Sequence, residues 1–366
     1  MPAQDDPRGA RPGQPTPAAR RFSRRSLLGR GALAGAGAVL PATMLPAAAR
    51  AEDAASVAME DFRFGRRRLS RGDAAMLRFL AAAEILETDL WQQYNELANG
   101  NPDYKEALEV LDDDMPEYIT QNTVDEQSHA EFLNAFLVSM RERPVNLDAF
   151  RTLPSSPATG AANIGRLTNL AHLNVDTSWY ARYRSAGNPD FGDTFPQVVN
   201  IVNRPGIPLH DGYTDTQIQA IANTAAFHFA MIEQGGSSLY DAMSLFADDT
   251  TVLRIITSIG GTEVAHFEIW HDKVGDAPPL DTGDGLVFPD LNADEETETS
   301  KVMPRPCKFI SAGLPLCSVI RPTSLRLAGA MAAVRFLTDT GLFQGQSRAF
   351  FNTLAALARE ADHAGH

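Results

Sequence analysis

The sequence predicts an all-α fold, and three features carry that expectation. Four stretches of more than twenty residues repeat apolar side chains at steps of three and four. A connection of some seventy residues separates the second stretch from the third. Each half of the chain carries a Glu on its first helix and a Glu-x-x-His on its second.

The first helix is expected over residues 73–98, where Met76, Leu80, Ala83, Leu90 and Leu97 recur on one face. Asn99-Gly100-Asn101-Pro102 stops it. The second runs from about Pro116 to Arg141, with Ile119, Phe132, Phe136 and Met140 apolar and Pro144 beyond its end. The third spans Thr214 to Phe246, capped by Thr214 or Asp215. The fourth covers about Thr250 to Val274 and ends at Gly275 and a Pro pair. Residues 142–213 form the crossover, within which a helix is expected from Asn163 to Arg184.

After Asp276 the composition turns to Pro, Gly and acid through Asp294-Glu295-Glu296-Thr297-Glu298, which reads as a solvated linker. Helical patterns resume at about Leu325–Leu337 and Ser347–Glu360 in the tail that completes residues 276–366. These helices are expected to dock on the helical domain, 73–275, or on a partner subunit.

Residues 1–51 read as a leader rather than a fold. Ser23-Arg24-Arg25-Ser26-Leu27-Leu28 resembles the twin-arginine export signal, and Ala47-Ala48-Ala49 or Ala49-Arg50-Ala51 offers a small-residue cleavage site. A membrane anchor is the alternative, but Gly35, Gly37, Pro41 and Pro46 weaken the apolar run from Gly31 to Ala49. Export implies a periplasmic or extracellular protein and the export machinery as a partner; residues 52–72 would then be an N-terminal extension.

The leader carries eight Arg against two Asp, so without it the net charge falls by six, from −14 to −20. That acidity argues against nucleic acid and anionic membranes as partners and favours cations. Cys307 and Cys317 are the only cysteines; in an exported chain a disulfide is expected, with paired free thiols as the alternative.

The chemistry sits in Glu126-Gln127-Ser128-His129 and Glu263-Val264-Ala265-His266. Residues three apart on a helix are neighbours, so each pair can grip one ion cluster. Glu87 is followed seven residues later by Tyr94, and Glu233 by Tyr240, which matches the two halves. Glu84 is the rival to Glu87: it is followed at seven residues by Trp91, but its counterpart in that register is Ala230.

Four carboxylates can offset two divalent cations while two imidazoles add neutral nitrogen donors. Buried together without an ion, six such groups would be costly. A lone Glu-x-x-His is weak evidence, because Glu268 to His271 and Glu360 to His363 match as well. The first of these pairs is turned to another helix face and the second lies at the chain end. His172 and His228 fall outside the repeat and read as ordinary histidines.

The ordered set Glu, Glu-x-x-His, crossover, Glu, Glu-x-x-His resembles the ferritin-like di-metal carboxylate proteins. Asn169-Leu170 and Val175-Asp176-Thr177-Ser178-Trp179-Tyr180 resemble their exported branch, which includes bacterial twin-arginine-signal and plant desiccation-related proteins. The resemblance covers about residues 70–275.

It implies a four-helix bundle holding two iron or manganese ions, with Glu87, Glu126, His129, Glu233, Glu263 and His266 as ligands. Glu126 and Glu263 would bridge, Glu87 and Glu233 would be terminal, and each His would complete one metal. It further implies redox chemistry with oxygen or peroxide, as an oxidase or a catalase-like enzyme. A stress or desiccation protein that uses the metal structurally, or sequesters it, is the alternative.

Overall fold

The computed structural model describes residues 68–185, 195–293, 295, 297–298, 304–319 and 328–364. The expected leader and residues 52–67 of the extension after it lie outside the described residues. The structure is mostly helical, as expected.

Helix α1 is Arg71–Gly100, opened by Ser70, whose hydroxyl accepts the Asp73 amide at 2.9 Å. Asn101 closes α1 and opens a short helix, α2 (Pro102–Glu109), by accepting the Tyr104 amide at 3.0 Å. The breaker Asn99–Pro102 therefore ends one helix and starts another, which the sequence reading did not anticipate. Pro102 at the first position of α2 costs no hydrogen bond there.

Helix α3, Met115–Ser139, buries Asn122, Thr123, Glu126 and His129 alongside Ile119, Leu133 and Leu137. Its inward face is polar in the middle and apolar at the ends.

The crossover is mainly irregular. It contains the strand β1 (Leu173–Val175), a single turn α4 (Trp179–Arg182) and the strand β2 (Ile201–Arg204), which pairs antiparallel with β1. The helix expected over Asn163–Arg184 is reduced to that one turn, and the reason lies in its amides. Those of Leu167 and Thr168 go to the Asp89 carboxylate, at 3.0 and 2.9 Å. Those of Asn169 and Asn174 go to the carbonyls of Leu342 and Thr340, at 2.7 and 2.8 Å. Partners far away in sequence outcompete the local helix ladder.

Helix α5, Asp215–Ser244, starts with a capping box between Thr214 and Gln217. It is buried nearly all round from Ile218 to Met243, the signature of a central helix. Helix α6, Thr250–Gly275, is capped by Asp249 and packs along α5, while α3 packs along α1. A short antiparallel pair follows, β3 (Leu280–Asp281) and β4 (Val287–Phe288).

In the tail, α7 (Ala330–Asp339) packs on α5 and on α8 (Arg348–Asp362), and α8 lies along α1. Helix α8 buries Phe350, Leu354, Ala358 and Ala361, one stripe at helical spacing. The Asp362 carboxylate accepts the amides of Ala330 and Met331 and so caps α7. Between the two helices Gly341 has φ of +83°, and a Cβ there would lie 2.6 Å from the His172 carbonyl oxygen. The tail thus docks on its own chain. No helix among the described residues is long and apolar enough to cross a membrane.

Candidate metal centre

Four long helices deliver buried carboxylates and imidazoles to one place. Glu84 comes from α1, Glu126 and His129 from α3, Glu233 from α5, and Glu263 and His266 from α6. Glu84, Glu126, His129 and Glu263 each offer a ligand atom within 4.8 Å of the others. Glu126, Glu233, Glu263 and His266 form a second such group. The two groups share Glu126 and Glu263.

Each imidazole turns Nδ1 inward. His129 Nδ1 lies 3.1 Å from Glu126 Oε2 and 3.5 Å from both Glu84 Oε2 and Glu263 Oε1. His266 Nδ1 lies 2.9 Å from Glu126 Oε1 and 3.3 Å from Glu233 Oε2. Glu126 therefore offers one oxygen to each half of the cluster.

A shell of donors holds this arrangement. The Asn122 amide donates to Glu126 Oε1 at 2.8 Å and to Glu233 Oε1 at 2.9 Å, and its own oxygen accepts Trp270 Nε1–H at 2.7 Å. The Tyr240 hydroxyl donates to Glu84 Oε1. Asp125 Oδ2 sits 3.1 Å from His266 Nε2 and orients that ring. At the position equivalent to Asp125, just before Glu263, stands Thr262, whose hydroxyl donates to the Ser258 carbonyl instead. The two halves are alike in ligands and unlike in support.

The first-helix member of the cluster is Glu84. Glu87, the residue expected there, belongs to neither group; its Oε1 is buried one turn further on with no hydrogen-bond partner. The expected register rested on Tyr94 matching Tyr240, and the two tyrosines do different things. The Tyr94 hydroxyl meets His228 Nδ1 at 2.8 Å, away from the carboxylates. With Glu84 set against Glu233, Trp91 matches Tyr240 and Glu87 matches Gly236. The other five expected residues meet as expected.

Burial pushes the Glu126 carboxyl up to about 7, with Glu233 adding to the effect. Burial also raises Glu263 well above the usual range, reinforced by Glu126 and Glu84. Burial alone would lower both histidines, but the carboxylates override it. His266 rises to about 12 through Glu233 and Glu126, and His129 to about 10 through Glu126 and Glu84. The carboxylates and imidazoles thus shift one another as a single electrostatic cluster.

Hydrogen bonding does not satisfy it. Glu84 Oε2, Glu233 Oε2 and both oxygens of Glu263 are buried without a hydrogen-bond partner. Such lone pairs, deep in the protein, are costly unless a cation meets them. Four carboxylates and two imidazoles are a donor set suited to a pair of divalent ions.

Two more residues, silent in the sequence, shape the site. Gly236 leaves room for Glu263, since a Cβ there would lie 2.2 Å from Glu263 Oε2. Asn122 is the common hydrogen-bond donor just described. Asp125, immediately before Glu126, is the one supporting residue that its position could have suggested.

The competing Glu-x-x-His pairs stand elsewhere. His271 is buried among Trp179, Tyr180, Tyr183 and Phe267. Glu360 pairs with Arg78 at 3.4 Å, and His363 Nδ1 faces the Arg359 carbonyl. His172 meets Asn203 at 3.0 Å on the surface.

Compared with models of protein families, with curated proteins and with solved structures, the chain matches none of them.

Proposed function

We propose that this is an exported ferritin-like protein whose four-helix bundle binds a dinuclear iron or manganese centre and carries out redox chemistry with oxygen or peroxide. One observation carries the reading: two ligand groups that overlap in Glu126 and Glu263, each completed by its own imidazole. Two carboxylates common to both groups would let two ions be held side by side, which an isolated metal site would not need.

When bound, such a pair supplies two-electron exchange with an oxygen species. The chain's own residues prepare for it. Glu126 spans both positions, fixed by Asn122, and Asn122 is fixed by Trp270. Asp125 Oδ2 lies 3.1 Å from His266 Nε2, so a proton kept there would leave the Nδ1 lone pair for a cation. Tyr240 orients Glu84, and the four ligand carboxylates are at most 1% exposed, which keeps bulk water from competing. Export rests on the twin-arginine pattern at Arg24-Arg25 and is part of the same proposal.

The test is metal identity and stoichiometry by elemental mass spectrometry on protein purified from the compartment to which it is exported. About two iron or manganese atoms per chain would agree with the shared-carboxylate geometry. Substoichiometric metal that reconstitution does not restore would sink the reading.

A further inference from the structure

Between Cys307 and Cys317 the chain makes a loop, residues 308–316, whose base is held and whose tip is bare. At the base the Arg305 amide donates to the Arg184 carbonyl at 3.1 Å, and the Ser318 hydroxyl donates to the Pro304 carbonyl at 2.9 Å. The two cysteines exchange both backbone hydrogen bonds, and Pro304 and Cys307 are buried. From Lys308 to Leu316 every residue except the half-buried Phe309 is exposed. Ile310 is 84% exposed, Leu314 54% and Leu316 60%. We infer that this loop is a docking knob by which the protein rests on an anionic lipid surface, its aliphatic tip in the headgroup layer and Lys308 against the lipid phosphates. The contact is with the surface alone, and the metal centre plays no part in it.

The charge around the loop is the reverse of the chain's. From Thr299 to Thr338 there are six Lys or Arg and no Asp or Glu, in a protein of 46 acidic residues and net charge −14. Lys308 makes no ion pair among the described residues. Screening confines such charges to about 8 to 10 Å in physiological salt, so a surface meeting the loop senses the local cations before the distant acid. The acidity that argues against anionic membranes belongs to the rest of the chain. Neither apolar groups nor a few cations alone hold a protein firmly on a membrane, and this loop offers both together.

The side chains at the tip favour lipid over a protein partner. Beyond Lys308 the loop has one polar side chain, Ser311, and its Oγ accepts the Gly313 amide at 3.3 Å. Protein partners are anchored chiefly by Trp, Tyr and Arg in matched pockets, with Leu under-represented. A lipid layer takes up aliphatic groups of any shape. The backbone points the same way. Ile310 has φ of +63°, where a β-branched residue is an outlier and Gly or Asn would rest more easily. The most exposed large apolar residue described thus stands in the conformation that suits it least, and its side chain adds almost no burial to the fold.

Ile310→Asn supplies the test, because Asn tolerates that conformation. Its unfolding midpoint should equal or exceed that of the wild type. The wild type should float at physiological salt with vesicles of equal parts phosphatidylglycerol and phosphatidylcholine, and not with phosphatidylcholine alone. Ile310→Asn and Lys308→Glu should each bind the anionic vesicles at least about tenfold more weakly. The indole introduced by Ile310→Trp should shift its emission to the blue when those vesicles are added; Trp91, Trp179 and Trp270 are at most 1% exposed and give a constant background. All variants share the same N-terminal residues, so the Arg-rich leader cannot produce a difference between them.

No flotation of the wild type, equal flotation of wild type and Ile310→Asn, or an unmoved emission in Ile310→Trp would overturn the inference. Retention on polyglutamate that Lys308→Glu abolishes, without flotation, would also overturn it and assign an acidic protein as the partner. Should Ile310→Asn lose stability along with binding, Leu314→Ser decides, at an exposed position outside the left-handed region. Unchanged vesicle binding in that variant would overturn the inference, and binding weakened at unchanged stability would uphold it.

Discussion

The Tyr240 hydroxyl on α5 donates to Glu84 Oε1 on α1, a bond across 156 residues that ties the second half of the chain to the first inside the cluster. It joins Glu84, the first-helix member of the cluster, to the third long helix. Glu84→Ala is expected to lose about one of two bound ions, and Tyr240→Phe to weaken that ion's binding about 10- to 100-fold. Glu87→Ala should retain both ions. Metal analysis after dialysis against a graded chelator would read all three, and equal losses in Glu84→Ala and Glu87→Ala would contradict the assignment.

Gly236 is constrained by what faces it. Gly236→Ala puts a methyl group where Glu263 Oε2 now lies, so either the carboxylate or the helix must move. Because Glu263 belongs to both ligand groups, the expected result is metal content falling from about two ions to under one, while the far-ultraviolet circular dichroism is kept. An unchanged stoichiometry would show that Glu263 can bind from another rotamer.

His271 has no hydrogen-bond partner on either ring nitrogen, and burial lowers its pKa to about 3, helped by Arg184. A histidine depressed in the folded state takes up its proton more readily when unfolded, so stability is fullest above about pH 6.5 and declines as the pH falls toward 3. The loss from this one group is roughly 2 kcal/mol by pH 5. His271→Phe, which suits the surrounding aromatic rings, should flatten the slope of unfolding free energy between pH 6.5 and 5. Denaturant titrations across that range would decide, and an unaltered slope would refute the assignment.

Asp89 anchors the crossover to α1. Its carboxylate accepts from Arg151 at 2.6 Å, from the Thr168 hydroxyl at 2.7 Å, and from the Leu167 and Thr168 amides. Asp89→Ala leaves these donors unmatched in the interior and is expected to cost about 3 to 5 kcal/mol. Chemical denaturation would measure it. A loss below about 1 kcal/mol would mean that water replaces the carboxylate.

Cys307 and Cys317 are free thiols in the structure, but their backbones exchange both hydrogen bonds of an antiparallel bridge at 2.9 Å. Such pairs have Cα atoms about 5.5 Å apart, inside the range a disulfide spans. Protein recovered from an oxidising compartment should therefore resist alkylation until reduced, after which both thiols react. Free thiols in the exported, unreduced protein would rule the bridge out.

The sequence by itself determined the four long helices, because apolar residues at steps of three and four and the caps beside them are local properties of the chain. It also pointed to five of the six cluster residues, four because a Glu-x-x-His on one helix face fixes the spacing of its own members, and Glu233 because it is the only Glu on its helix. Which first-helix Glu joins them was not local. Glu84 and Glu87 lie one turn apart, and the choice depends on how α1 is rotated against α5, where Tyr240 meets Glu84. The crossover shows the same limit: its stretch from Asn163 to Arg184 has helical character, yet Asp89 and the tail capture its amides. Such long-range hydrogen bonds exist only once the chain has folded, so tertiary structure alone decided them.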